Sequence, residues 1–172
     1  MRVSSSISAM PAIPQYVSII KDEESSANKW EKTSVSTQQA VTAFQNDASS
    51  IKTPQQLLKN YKALKVVLGA YGMSSAIGET AVLTKLMTQD PTSAKSLAQT
   101  SGNSSWKAFA KAFSDWSTSP LASADTIQKI TQNYLTNSYE DSLQTETPGL
   151  GDALYFTRTA KTDMTLENVM AD

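Results

Sequence analysis

The sequence predicts an all-α fold, a single compact domain of about seven to nine helices. Three observations carry this prediction. Apolar residues recur at spacings of three and four along most of the chain, the period of a half-buried helix. Helix starts and stops punctuate those stretches, with Thr-Pro or Asp-Pro ahead of some and Gly or Pro behind others. The Val/Ile-rich alternating runs that make strands are absent. At 172 residues the chain can bury one core of ordinary size.

Residues 1–13 carry a Ser run and a proline and read as a flexible N-terminal arm, ahead of a helical domain over 14–147. Pro14 suits a helix start, and "PQYVSIIKDEESSANKWEK" follows with Tyr16, Val17, Ile19 and Ile20 at its front. Its middle is polar all round, so this stretch either projects from the body or breaks there. A second helix runs from about Ser36 to Ser50, with Ala40, Val41, Phe44 and Ala48 on one side. The third, 53–71, has the clearest signals. Thr53 is an N-cap, Pro54 fits the first helical position, and Gln56 completes a capping box. Leu57, Tyr61, Leu64, Leu68 and Tyr71 then share one face, and Gly72 supplies the left-handed residue that ends a helix.

A fourth helix is expected from about Ser75 to Thr88, and Asp90-Pro91 should open a short fifth through Gln99. After the "TSGNSS" loop, "WKAFAKAFSDW" at 106–116 aligns Trp106, Phe109, Ala110 and Phe113 as a core stripe. A long helix from Ser123 to about Gln144 follows. "ETPGLG" breaks the chain, and a helical C-terminal segment occupies 148–172. In it Asp152 lies in the first turn, with Arg158 and Lys161 at the other end, where the helix dipole favours them.

Composition excludes more than it selects. There is no Cys and no His, which removes disulfides, thiolate nucleophiles, Cys-based zinc sites and the usual proton shuttle. Fifteen basic against sixteen acidic residues give a net charge of -1, without the basic field that nucleic acid requires. Lys59, Lys62 and Lys65, and Lys107 with Lys111, read as solvated helix faces. No stretch approaches the length of a membrane span, and the N-terminus lacks the apolar run of a secretory signal.

The glycines of "GAYG" and "GLG" lack the context of a dinucleotide fold, and no phosphate-binding GKS or GKT occurs. No cofactor, metal ligand set or catalytic residue is therefore assigned. The carboxylate clusters Asp22-Glu23-Glu24 and Glu140-Asp141 sit in polar helical stretches and read as solvated, without the apolar surroundings that raise a carboxyl pKa.

One feature of the sequence points to architecture. "TPQQLLKN" at 53–60 is echoed by "TLENVMAD" at 165–172, with Thr53 opposite Thr165, Leu57 and Leu58 opposite Val169 and Met170, and Phe44 opposite Phe156 in the same register. The echo is either the start of a second helical repeat or a recurrence of an ordinary Thr-capped helix start. "SIKTPQQLLKNYKALKVVLGAYGM", "WKAFAKAF", "YLTNSYEDSL" and "PGLGDALYF" together resemble the bacterial domain-of-unknown-function family numbered twelve-seventeen, over residues 35–172. Where such proteins carry an Asp and basic residues before the aromatic stretch, this chain reads "GNSSW". The resemblance favours the repeat, because such proteins continue into further helices.

The resemblance also implies a link to flagellar genes, and no catalytic residue comes with it. The chain's richness in Ser, Thr, Gln and Asn is similar to that of exported flagellar axial proteins. The expected function is therefore a non-enzymatic helical protein of the bacterial flagellar system, working by protein–protein contact as a structural component or assembly factor. The alternatives are a chaperone-like or regulatory binding module for flagellar subunits and, third, a carboxylate-based enzyme. Partners would be flagellar components or a second copy, and the location either the cytoplasm or the flagellum. The expected interaction residues are Leu154, Phe156, Met164, Leu166, Val169 and Met170. Folding back onto the core is expected of the part up to Phe156, and contact with another chain or disorder of Val169 and Met170.

Overall fold

The computed structural model describes residues 11–163, and all regular structure in that stretch is helical. Ten α-helices form one compact domain, eight of them seven residues or longer. The first is α1, Ala12–Ile19. It begins inside the stretch expected to be a flexible arm, because Pro14 falls within its first turn, where a missing N–H is no loss. Residues 1–10 of that arm lie outside the described stretch. The long polar helix expected next does break. Asp22 leaves helical geometry, and its carboxylate accepts from the Ser25 backbone N–H to start α2, Glu23–Glu31.

Helix α3, Val35–Asp47, runs into a 3-10 turn at Ala48–Ser50. Thr53 then caps α4, Pro54–Lys59, and Gln56 reaches back to accept from the Lys52 N–H at 2.6 Å. The single helix expected over 53–71 is in fact two. Asn60 is non-helical and acts as a second N-cap: its Oδ1 accepts from Ala63 N–H, and its Nδ2 donates to Asp47. The break starts α5, Tyr61–Ala70, in a new phase. Leu57, Leu64 and Leu68 are buried as expected, but Tyr61 is 64% exposed. Gly72 ends the helix at φ 67°, with Met73 N–H donating to Leu68 O at 2.8 Å.

The fourth expected helix is also divided, into a 3-10 turn at Ser74–Gly78 and α6, Thr80–Thr88. Asp90 does not open a helix. Its carboxylate accepts from both the N–H and the hydroxyl of Thr92, closing a turn instead, and only Leu97–Thr100 is helical beyond it, as α7. Helix α8, Ser104–Phe113, is capped by Asn103. Trp116 lies past its end and donates its indole N–H to Phe113 O. A 3-10 turn at Pro120–Ala122 leads to α9, Ala124–Glu146, and Gly149 at φ 88° precedes α10, Leu150–Asp163.

One apolar core fills the body. Phe44, Leu57, Leu68, Leu83, Phe109 and Phe113 are fully buried there, with Phe109 and Phe113 stacked at 5.0 Å and Tyr71 set edge-on against both. Helix α5 crosses α9 closely because Gly69 has no side chain: a Cβ there would stand 2.7 Å from the Tyr134 ring. A second, smaller cluster lies at the far end of α9. Ile19, Leu143, Leu150 and Leu154 form it, flanked by Tyr16 and Tyr139.

Candidate functional site: the α1–α10 face and the charged cluster beneath it

Helix α10 is held to α9 by a backbone approach that only glycine permits. A Cβ on Gly151 would lie 2.2 Å from Glu140 O and 2.8 Å from the Gln144 Cβ. Gln144 fixes the junction further, its Oε1 accepting from the Gly149 and Asp152 N–H groups while its Nε2 donates to the Asp152 carboxylate. With Gly151 against α9, Leu150 and Leu154 point into the second apolar cluster. Leu154 is 1% exposed, so it is core, and it drops out of the interaction surface expected from the sequence. Phe156 points the other way and is 56% exposed. Met164, Leu166, Val169 and Met170 lie outside the described residues.

Phe156 does not stand alone. Helix α1 packs on α10, joined by the hydrogen bond between the Tyr16 hydroxyl and Thr157 Oγ1 at 2.6 Å. Ile19 faces inward, while Ile13, Val17 and Ile20 form an exposed row at spacings of four and three. Among the described residues, four of the seven exposed large apolar side chains, Ile13, Val17, Tyr155 and Phe156, lie on these two helices, and a fifth, Ile20, is the C-cap of α1. The sequence shows α1 as apolar at its front, but which of those residues turn outward depends on the docking of Ile19.

Beneath this face lies a charged cluster that contradicts the expectation of solvated carboxylates. Glu140 is 3% exposed. Arg158 clamps it with both arms, Nε to Oε1 at 3.1 Å and Nη2 to Oε2 at 2.7 Å. Glu23, on α2, brings a second carboxylate to within 4.0 Å of the same guanidinium. Arg158 is thus an ion-pair partner reaching across to α9 and α2, and not the dipole-complementing residue that its sequence position suggests. Burial pushes the Glu140 carboxyl up from 4.5 to about 7, the bond from Arg158 opposing this and the charge of Glu23 adding to it. For Arg158, burial acts downward but the bond and charge of Glu140 outweigh it, so its pKa is raised.

Asn137 ties the cluster to the main core. Its Oδ1 accepts from Arg158 Nη2 at 2.7 Å, and its Nδ2 donates to the Gly69 carbonyl at the end of α5 at 2.7 Å. A cleft of about 280 Å³ opens beside it, lined by Ser74, Asp141, Gln144, Asp152 and Tyr155 among others. The clamp engages both Glu140 oxygens, so the one carboxyl here with a strongly raised pKa is committed to holding three helices together. Among the described residues, no group of three or more acidic, His or Cys side chains is placed to hold a metal ion. Lys59, Lys62, Lys65, Lys107 and Lys111 all lie on exposed faces, and no described helix is long and apolar enough to cross a membrane.

The fold has a solved relative. An Agrobacterium tumefaciens protein of known crystal structure superposes with a TM-score of 0.82 at 18% identity, covering 100% of this chain and 74% of that one. At that identity the likeness concerns the fold. No protein among the curated ones matches the chain. The sequence profile of the proteins of unknown function called DUF1217 matches residues 70–172, a stretch that holds "WKAFAKAF", "YLTNSYEDSL" and "PGLGDALYF", and the chain belongs to that family.

Proposed function

We propose that this protein works by protein–protein contact within the bacterial flagellar system, as a structural component or assembly factor without chemistry of its own. The observation that carries the contact half of this reading is the concentration of exposed apolar side chains on α1 and α10. Ile13, Val17 and Ile20 form a helical row that water would not favour, beside the helix that exposes Phe156. The flagellar half draws on the sequence resemblance and on the polar, Cys-free composition.

A carboxylate enzyme is the weaker alternative. Glu140 has the raised pKa of a general acid and borders a cleft, but its oxygens are taken by Arg158. The test is a motility assay on a deletion strain complemented with wild type or with a chain carrying Ile13→Glu and Val17→Glu. Deletion should impair swimming or filament assembly, and the double variant should fail to restore it while keeping its helical circular dichroism. Intact swimming and filaments in the deletion strain would overturn the proposal. Recovery of the protein from the culture medium would favour an exported component, and strict retention in the cell a chaperone-like role.

A further inference from the structure

We propose that α1 is a self-association surface, on which a second copy of this chain packs antiparallel about Val17, with Phe156 of α10 at the edge of the contact. The proposal rests on the contact-surface reading above and names the occupant of that surface. Between Ala12 and Ile20 there is no charged residue, and only Gln15 and Ser18 are polar apart from the Tyr16 hydroxyl. One side of the helix meets the body through Ile19 and Tyr16. A second apolar side stays outside, with Ile13 76%, Val17 44% and Ile20 37% exposed. A helix that is apolar on more than one side is normally covered on each of them.

Register, charge and area select a second copy as that cover. A two-fold contact must be complementary to itself, each residue meeting the one that meets it. The row at 13, 17 and 20 has the four-and-three spacing of a coiled-coil seam. Turned end for end, it sets Ile13 of one copy against Ile20 of the other and Val17 against its own counterpart. Two α1 helices also meet without any like-charge pair, and antiparallel packing opposes their dipoles favourably. The exposed Tyr61 offers no such place, because Lys62 and Lys65 lie exposed beside it and would meet their own kind. The α1 row alone is too small for a specific contact. Tyr155 and Phe156, each about half exposed, precede Thr157, to which the Tyr16 hydroxyl is bonded. With these two rings the surface offers on the order of 500 Å² of apolar side chain per copy, so a symmetric pair buries about 1,000 Å², the size at which specific association begins. The contact is therefore a reversible dimer whose population follows concentration.

Sedimentation equilibrium of the full chain, over roughly a thousandfold range of concentration, tests this. The mass should rise from one chain toward two and no further, because a two-fold contact closes. Val17→Glu should move the association to concentrations roughly tenfold higher or more, with helical circular dichroism unchanged, and Tyr61→Glu should not move it. The chain has no Cys, so Val17→Cys places a lone thiol near the two-fold axis. Mild oxidation should link two such chains, and should not link chains carrying Ser18→Cys, an exposed position turned off the row. A wild type that stays monomeric throughout overturns the proposal, as does a dimer that survives Val17→Glu or equal cross-linking of the two thiol variants. Motility is a separate readout. A monomeric wild type whose Ile13→Glu, Val17→Glu variant still fails to restore swimming leaves the contact reading standing and gives the face to a different protein.

Discussion

The two halves of α9 are held by different physics. Its first half lays Ile130, Tyr134 and Leu135 against α5 in a dry core built from Phe, Leu, Val and Met. Its second half contributes Leu143 to a four-residue apolar cluster and Glu140 to an ion pair shared with α2 and α10. Apolar packing holds no titrating group, whereas a buried ion pair returns little more than the cost of desolvating it. One helix thus joins a robust body to a conditional attachment. The α1–α2–α10 side should open before the rest, as the low-stability unit of the domain.

The largest effect expected from this contrast is in the body. Leu64→Ala should cost on the order of 2–5 kcal/mol, because rigid neighbours leave a cavity that cannot collapse. Denaturant titration should show this loss in a single transition that carries every probe. Leu154→Ala should cost less, and hydrogen exchange should place its effect on α10 and α1 while α5 stays protected. Equal loss of protection on both sides would mean that the halves are not separable.

The pH response belongs to the attachment. The folded Glu140 carboxyl titrates at about 7 against an ordinary 4.5, so between those values the native state holds a proton that the unfolded chain has lost. Stability from this group is fully present below 4.5, declines as pH rises, and levels off above 7. Melting curves across that window should show the decline, and Glu140→Gln should flatten it. A slope that survives the substitution would place the titrating group elsewhere.

Gly151→Ala sharpens the comparison at lower cost, about 1–3 kcal/mol by overpacking. The added methyl would meet the Glu140 carbonyl, which is backbone and cannot swing away, so α10 must lift. The fluorescence of Trp30, whose ring lies 5.8 Å from that of Tyr139 on the same side of α9, should change while near-UV bands from the Phe109–Phe113 region persist. The smallest effect is Thr53→Ala, about 1 kcal/mol through loss of the cap on α4, measured by the same titration.

What the sequence could convey depended on range. The Thr53 box, the Gly72 stop and the Phe109–Phe113 stripe are local patterns, each complete within a few turns, and all three are present in the fold. Asn60 is also local, yet its N-cap was hidden inside an unbroken apolar rhythm, and the phase shift it causes is what exposes Tyr61. Asp90 satisfies the same capping preference as a helix start, and its carboxylate closes a turn with Thr92 instead. The charged cluster was illegible for another reason. Glu23, Glu140 and Arg158 come from three separated helices, and burial of Glu140 follows from the approach of Gly151, which no periodicity encodes. The same holds for the exposed row on α1, since its direction is set by Ile19 meeting Leu150 and Leu154.

The bond between Tyr16 and Thr157 spans 141 residues, which has a consequence during synthesis on the ribosome. The main core lies between Val41 and Leu135 and can close while the rest of the chain is still being made. Helices α1 and α2 emerge before that core, but their mates on α9 and α10 emerge only after most of it. At roughly 5–20 residues per second, the apolar side of α1 waits on the order of ten seconds for α10. Through that interval Ile19 is as bare as Val17, and a chaperone at the ribosome exit would find both.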